Sequence, residues 1–343
     1  MPYNLPSRSD VHVNRPLTNI SLAFMQKAEN FVAGRVFPIV GVSKQSDLYF
    51  TFDRGEWNRD AMEIRAPGTE SAGGNYTMST ASYAAVVRAY HKDVADQIRS
   101  NADNPLNLDR QATEFVTLKA LINREVNWVT NYFTSGAPGA TWTFDVDGAS
   151  SATAAASFDP TNASNNNKLY WSDSSSTPIE DVRQGKRYVL EETGFMPNKL
   201  TLGRAVFDTL LDHPDIVGRL DRGQTDGPAK ATRDSLAALF EVDEVLVLDA
   251  IKNTANEGAT ASHSFIGGKH ALLSYAPPSP GILVPSAGYT FAWTGFLGGT
   301  AAGVRIKRFR MEHLESDRIE GESAYDQKRI SEDLGYFFGD IVE

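Results

Sequence analysis

The residue types that most often carry out chemistry are spread thinly through this sequence. It contains no cysteine, which excludes disulfides, cysteine-based zinc sites and thiol nucleophiles. No two histidines have the i, i+4 spacing with which a helix presents two imidazoles to one metal ion. The histidines are His12, His91, His213, His263, His270 and His313. His213 precedes Pro214 with no nucleophile motif nearby, so it is predicted to lie at a helix terminus. We expect no metal, no cofactor and no catalytic residue.

Two short motifs could suggest ligand binding, and each has a simpler interpretation. Residues 145–148, with the sequence DVDG, resemble part of a calcium loop but lack the later ligands, so a tight turn is predicted. Residues 295–303 are rich in glycine, but no Gly-Lys-Ser/Thr follows, so a flexible turn is predicted in place of a phosphate loop. An enzyme hypothesis therefore gains no positive support from motifs.

The charge of the chain restricts its partners. Acidic residues number 43 and basic residues 33, giving a formal net charge of −10. A net-acidic chain is a poor candidate for direct nucleic-acid binding, which needs clustered Lys and Arg. The one dense basic run, residues 305–310, is interpreted as the charged face of a strand. No window approaches the roughly 20 apolar residues that span a bilayer, so no membrane association is expected.

The strongest secondary-structure signal is a long helix. Apolar residues recur at steps of three and four through residues 107–133, which predicts a helix roughly 40 Å long. Residues 140–176 are predicted to form a hairpin with a loose tip. Thr177 and Glu180 form a capping-box pattern that starts a helix ending at Gly194. Helices and strands then alternate, which indicates a mixed α+β fold.

The segment before the long helix has the character of an arm and a hairpin. Residues 17–32 are predicted to form a short helix that ends at Gly34. Residues 36–40 are an apolar run with no partner strand close in sequence, so we expect another chain to cover it. Strand-like residues 48–52 and 83–90 flank a polar connection, residues 55–80, which predicts a protruding hairpin.

This succession resembles the major capsid proteins of tailed bacteriophages with the HK97 fold. The similarity extends in order over nearly the whole chain. The residues that carry it are VFPIV at 36–40, SDLY at 46–49, DRGEWNR at 53–59, the helix at 107–133 and GFMPNKLTLG at 194–203. The resemblance implies an HK97-like α+β capsid fold with an N-terminal arm, an E-loop, a P domain containing the long spine helix, and an A domain.

The resemblance also implies boundaries for these parts. The N-terminal arm would span residues 1–40 and the E-loop residues 41–88. The P domain would comprise residues 89–177 and 295–343, with the spine helix at about 107–133, and the A domain residues 178–294. Residues expected at subunit interfaces are Val36, Phe37, Pro38, Ile39, Tyr49, Arg54, Trp57, Arg59 and Tyr76.

The implied function is structural. Hexamers and pentamers of the chain would close an icosahedral head shell around packaged double-stranded DNA, without binding that DNA specifically. The implied location is the virion, reached from the host cytoplasm, where the shell assembles. A separate scaffolding protein, a portal and a decoration protein are further candidate partners. Some relatives link an E-loop lysine covalently to a neighbour, but no lysine occurs here between Lys44 and Lys92.

Two alternatives stay open from the sequence. An encapsulin-like compartment shares the fold but encloses protein cargo and would carry a longer N-terminal helix, which Pro2, Pro6 and Pro16 disfavour. A cytosolic enzyme of unknown type would instead be a compact monomer or small oligomer.

Overall fold

The computed structural model describes residues 26–52, 54–102, 107–135, 142–150, 167–221, 231–281, 284–297 and 304–343. The α-helices in these ranges are α1 (Ala33–Val36), α2 (Arg54–Trp57), α3 (Asp96–Ser100), α4 (Leu108–Tyr132), α5 (Pro178–Thr193), α6 (Arg204–Leu211), α7 (Pro214–Asp221), α8 (Arg233–Phe240) and α9 (Thr294–Leu297).

The strands in the same ranges are β1 (Ile39–Val42), β2 (Ser46–Phe52), β3 (Met78–Ala84), β4 (Val86–Ala95), β5 (Phe144–Ala149), β6 (Lys168–Leu169), β7 (Lys199–Gly203), β8 (Glu244–Leu248), β9 (Ile251–Asn253), β10 (His263–Phe265), β11 (Ala271–Ser274), β12 (Gly288–Trp293), β13 (Arg305–Met311), β14 (Ser316–Arg329) and β15 (Gly335–Gly339). None of the helices in the described ranges combines the length and the apolar character that crossing a membrane would require.

The long helix predicted from apolar periodicity is confirmed as α4, with 25 residues. Its N-cap is Asn107, whose side chain accepts a hydrogen bond from the backbone N–H of Arg110 at 3.0 Å. This bond satisfies one of the free N–H groups at the start of the helix. The buried side of α4 carries Ala112, Val116 and Trp128, which pack on the sheets described next.

Two sheets organise the chain around α4. The first has the order β1-β12-β14-β13, and β4 pairs with the other side of β14, so the 14-residue strand β14 holds this sheet together. The second has the order β6-β5-β15-β11-β7-β8, and the largest buried cluster of apolar side chains packs against it. The predicted α+β class is confirmed by this mixture of helices and sheets.

The first residues that the structure describes differ from the prediction made for that segment. Residues 1–25 of the predicted arm lie outside the described residues. Gly34 does not end a helix, because α1 passes through it from Ala33 to Val36. The apolar run that follows does have a partner strand: β1 pairs in parallel with β12, with Val40 opposite Phe291. The prediction missed this pair because its partners are about 250 positions apart in the sequence.

Residues 140–176 also depart from their prediction. The expected hairpin is wrong, since β5 and β6 run parallel, and β5 also pairs in parallel with β15. The DVDG motif lies inside β5 and forms no tight turn. Helix α5 does start at Pro178 and end before Gly194, which takes the left-handed conformation with φ of 76°, but Thr177 makes no side-chain cap bond.

The expected domain boundaries pass through both sheets. Strands β5, β6 and β15, assigned to the P domain, share a sheet with β7, β8 and β11 of the A domain. Strand β12, assigned to the A domain, pairs with β14 of the P domain. The predicted boundaries do not place the two sheets in different domains. The division into arm, loop and two domains therefore stays a proposal about assembly.

One close contact between α4 and the first sheet depends on a glycine. A Cβ atom added at Gly321 on β14 would lie 2.3 Å from Val116 Cγ1. We expect Gly321→Ala to lower the free energy of unfolding by about 1–3 kcal/mol, because the helix must move away from the sheet. Chemical denaturation measures the change.

A matched control is Gly218→Ala on α7, where an added Cβ meets nothing within 4 Å. That substitution is expected to be neutral or slightly stabilising. Equal stability losses at the two positions would contradict the packing account.

Candidate assembly surfaces

A hairpin is confirmed, but its second strand is β3 at residues 78–84, and most of the predicted second strand, residues 83–90, belongs to β4, which pairs with β14. One face of the hairpin is anchored to the rest of the chain. Strands β2 and β3 pair antiparallel, with Tyr49 opposite Ala81 and Asp47 opposite Tyr83. The rings of Tyr49 and Tyr83 lie 5.6 and 4.7 Å from the ring of Phe291 on β12, centroid to centroid. Because successive side chains of a strand alternate between faces, this contact fixes which face of the hairpin is turned away.

The opposite face of the hairpin carries exposed apolar side chains. Leu48, Phe50 and Met78 project from it with 62%, 52% and 50% of their surface exposed. We call these three residues the apolar stripe. Three large apolar side chains on one exposed face of a two-stranded ribbon are typical of a protein interaction surface.

The connection between the two strands is exposed throughout residues 57–77. Its ends meet through Trp57 and Tyr76, whose ring centroids lie 5.3 Å apart. Met62 and Ile64, farther along the connection, are almost completely exposed. The connection thus adds Met62 and Ile64 to the exposed apolar side chains of the hairpin.

The residues predicted at subunit interfaces fall into two groups. Trp57, Arg59 and Tyr76 lie on the exposed connection, and Arg54 lies in α2 at its start. Ile39 is half-buried in β1, and Tyr49 is buried against Phe291 in the same chain. The interface role of the exposed residues stays a prediction.

The premise that residues 36–40 expose apolar surface is wrong. Val36, Phe37 and Pro38 are buried within the chain. The ring of Phe37 lies 5.9 Å from that of Trp128, 5.0 Å from that of Tyr132 and 6.4 Å from that of Trp142. The aromatic side chains of α4 and of Trp142, two residues before β5, supply the cover that was expected from another chain.

Polar contacts that the sequence did not indicate hold the same segment in place. Glu125 on α4 is fully buried and accepts hydrogen bonds from the backbone N–H groups of Val32 at 3.0 Å and Ala33 at 2.9 Å. Burial raises the pKa of Glu125, and the two N–H groups oppose that shift. The side chain of Gln26 pairs with both backbone groups of Ile251. These residues have no recognisable spacing, so only the fold could reveal them.

The basic run at residues 305–310 does form a strand, β13, as predicted, and carboxylates of the same chain neutralise it. Arg305 and Lys307 both contact Glu322 at 2.6 Å. Arg308 contacts Asp317 at 2.6 Å, and Arg310 pairs with Asp96 of α3. The run is therefore an internal ionic network that joins β13, β14 and α3.

We expect this network, with the neighbouring ion pair between Asp93 of β4 and Arg318, to make the stability of the fold fall in acid. Hydrogen bonds from Arg318, Arg310 and Arg308 lower the pKa values of Asp93, Asp96 and Asp317, respectively. An acid with a lowered folded-state pKa stabilises above its unfolded value of about 3.9, and this contribution is lost as pH falls through the folded value. We expect the melting temperature to be level near pH 6 and to fall below about pH 4.

Asp317→Asn should lower the melting temperature at pH 6 and flatten its decline in acid. Asp60→Asn, on the exposed connection, should change neither. A wild-type profile that stays level from pH 6 to pH 3 would contradict the role given to the network.

One serine–histidine pair is buried, and its geometry is structural. The hydroxyl of Ser176 lies 3.0 Å from Nε2 of His213, and Nδ1 of His213 accepts the backbone N–H of Asp215 at 3.2 Å. That bond places the ring proton on Nε2, so this imidazole cannot take a proton from Ser176. His213 thus lies at the start of α7, as predicted. In the described ranges, no three His, Asp or Glu side chains group as a metal site would require.

Comparisons with known proteins point to one kind of protein. A family model described as phage major capsid protein E matches residues 143–279. A curated relative, the major capsid protein of Burkholderia phage BcepMu, is 25% identical over 171 residues, which cover 48% of this chain and 51% of that protein. The chain thus matches about half the length of this relative.

Solved structures extend the likeness to nearly the whole chain. A phage-related protein from Bordetella bronchiseptica has a TM-score of 0.64 at 19% identity, covering 92% of this chain and 93% of its own. The mature capsid of bacteriophage PhiM1 has a TM-score of 0.51 at 13% identity, covering 93% of this chain and 89% of its own. The encapsulin-like alternative is not favoured by these findings. The chain therefore has the HK97-type α+β fold, and the resemblance to the major capsid proteins of tailed bacteriophages, inferred from its sequence, is confirmed.

Proposed function

We propose that this chain is the major capsid protein of a tailed bacteriophage, a structural subunit that assembles into a closed icosahedral head shell. The observation that carries the proposal is the likeness in fold to a phage capsid over 93% of the chain, together with the match of residues 143–279 to a capsid family. The role is structural and not enzymatic. The buried Ser176–His213 pair supports this view, because its ring proton lies on the wrong nitrogen for a general base.

The hairpin is the surface that we assign to subunit contact. One face is fixed to Phe291 of its own chain, so the apolar stripe is presented in a defined direction. A neighbouring copy would bury Leu48, Phe50 and Met78, and the exposed Trp57, Arg59 and Tyr76 would lie at the margin of that contact. A stable interface buries roughly 1,600 Å² in total, more than the stripe alone supplies. Further contacts between copies are therefore part of the proposal.

The assembly proposal also names partners and parts. Hexamers and pentamers of the chain form the shell, with a scaffolding protein, a portal and a decoration protein as separate chains. Residues 41–88 act as the E-loop, and residues 89–177 with 295–343 act as the P domain around α4. Residues 178–294 act as the A domain.

Sedimentation and light scattering of the purified chain test the proposal. Closed shells of many copies are expected under at least one assembly condition. Only monomers or dimers under every condition would overturn the proposal, and they would return the cytosolic enzyme to consideration.

The shell is expected to be held without covalent links. The chain contains no cysteine, and no lysine lies between Lys44 and Lys92, so the hairpin lacks the donor for an isopeptide bond. Denaturing gel electrophoresis of particles should show a single coat band near 37.5 kDa. A ladder of linked subunits would refute this prediction.

A further inference from the structure

A row of positively charged side chains alternates with aromatic rings along the groove between α4 and β4. Lys119 and Lys92 place their ammonium groups 5.3 and 5.2 Å from the centre of the Phe115 ring. The ring of Tyr90, two residues from Lys92, lies 5.9 Å from the same ring. Lysines from two different elements thus converge on one aromatic side chain.

The row continues around a second ring. The guanidinium of Arg88 lies 4.5 Å from the centre of the Tyr325 ring. Burial raises the pKa of the Tyr325 hydroxyl, and the charge of Arg88 opposes that shift. Arg88, Tyr90 and Lys92 share one face of β4, because alternate residues of a strand point the same way. We call Arg88, Lys92 and Lys119 the cationic ladder.

The ladder lacks the carboxylates that neutralise the basic strand β13. In the part of the chain that the structure describes, no Asp or Glu forms an ion pair with any of its three residues, whereas Arg305, Arg308 and Arg310 all have such partners. Three cations without a carboxylate partner, in a chain with a net charge of −10, are a local exception to its charge.

We propose that the cationic ladder contacts the phosphate backbone of double-stranded DNA without sequence specificity. This inference depends on the proposed function in one respect, namely the setting in which the chain meets DNA. Arg88 and Lys92 are four strand residues apart, about 13 Å, and a DNA strand offers one phosphate for about every 3.4 Å of helix axis. Salt bridges to phosphate would supply the counter-charge that the chain itself does not provide.

The rings favour duplex DNA over unpaired bases. Unpaired nucleotides bind by stacking their bases on free aromatic faces. Here the rings of Phe115 and Tyr325 are already engaged by cations of the same chain, which leaves them poorly placed for stacking. An acidic protein segment is the other class of polyanion that could neutralise the ladder, and the test separates it from DNA.

The test uses the full chain, kept below the concentration at which it assembles, and a labelled 30-base-pair duplex. Binding is measured by fluorescence anisotropy between 50 and 200 mM salt. Three phosphate contacts predict a slope of log Kobs against log salt of about −2.7, or a loss of roughly 40-fold over this range. The variant R88Q/K92Q/K119Q should bind at least tenfold more weakly at 50 mM salt.

Two further variants serve as controls for this test. K92Q/K119Q removes only the two lysines and should reduce the slope by about two contacts even if the triple variant folds poorly. K44Q/R110Q/R204Q removes the same number of positive charges as the triple variant, from cations that have carboxylate partners. This control should bind DNA as the parent chain does.

Equal losses in the control and in the triple ladder variant would overturn the proposal, because net charge alone would then explain binding. A polyglutamate peptide that binds through the ladder while DNA does not would also overturn it, in favour of an acidic protein partner. Shells that form normally from subunits that never bind DNA would contradict this inference and leave the proposed function intact. Subunits that bind DNA through the ladder but never assemble would support the inference while the proposed function fails.

Discussion

Phe37→Ala is expected to lower the free energy of unfolding by about 3–5 kcal/mol, the usual cost of removing a buried aromatic side chain. The ring of Phe37 is fully buried and contacts Trp128, Tyr132 and Trp142. It also fills the space over Gly288, where an added Cβ would lie 2.5 Å from the ring. Removal of the ring would leave a cavity where the segment after α1 meets α4 and β12. Chemical denaturation of the unassembled subunit measures the effect.

Phe50→Ala is the matched control, since it removes the same side chain from the exposed apolar stripe. Phe50 has 52% of its surface exposed, so the loss of subunit stability should be well under 1 kcal/mol. If Phe37→Ala were as mild as Phe50→Ala, residues 36–40 would be an arm covered by another chain, as the sequence alone suggested.

Phe50→Asp is expected to abolish shell formation while leaving the subunit folded. The substitution places a charge in the middle of the apolar stripe, between Leu48 and Met78. A neighbouring copy would then have to bury an unpaired carboxylate, which costs several kcal/mol at each of many equivalent contacts. Light scattering under assembling conditions measures shells, and circular dichroism confirms that the subunit is folded.

Phe50→Leu keeps the stripe apolar and should still assemble. Normal assembly of Phe50→Asp would show that the stripe faces solvent in the shell, and the subunit contact would have to be sought elsewhere. The contrast between the Phe37 and Phe50 variants separates folding from assembly, because each variant is expected to damage only one of the two.

Local sequence patterns predicted the elements whose determinants are local. The periodicity of apolar residues placed α4 to within one residue at each end, because a helix of 25 residues repeats its signal over about seven turns. Gly194 ended α5 as expected because its positive φ favours glycine. The polar connection of the β2–β3 hairpin was evident because its two strands are near neighbours in the sequence.

Pairings between distant segments could not be predicted in this way. The apolar run at residues 36–40 looked uncovered because its partner strand begins at Gly288. Residues 144–149 looked like half of a hairpin, but their main partner is the strand at the end of the chain, Gly335–Gly339. In both cases the apolar pattern was correctly recognised as needing cover, and only the fold shows which residues supply it.

The basic residues of the candidate surfaces show the same limit of prediction from local sequence. The dense run at residues 305–310 was the obvious basic feature, yet Asp96, Asp317 and Glu322 neutralise it. The cationic ladder combines residues of β4 and α4 that lie more than 20 positions apart in the sequence, so no short stretch of sequence contains it. A charge run therefore says little about free charge until its partners are known.

Electron microscopy of the purified chain would show both the shell and its subunit contact. We expect closed icosahedral shells in which the β2–β3 hairpin of each copy lies on a neighbouring copy, with Leu48, Phe50 and Met78 covered. Particles of one or two copies, or shells in which that face of the hairpin points into solvent, would contradict this expectation.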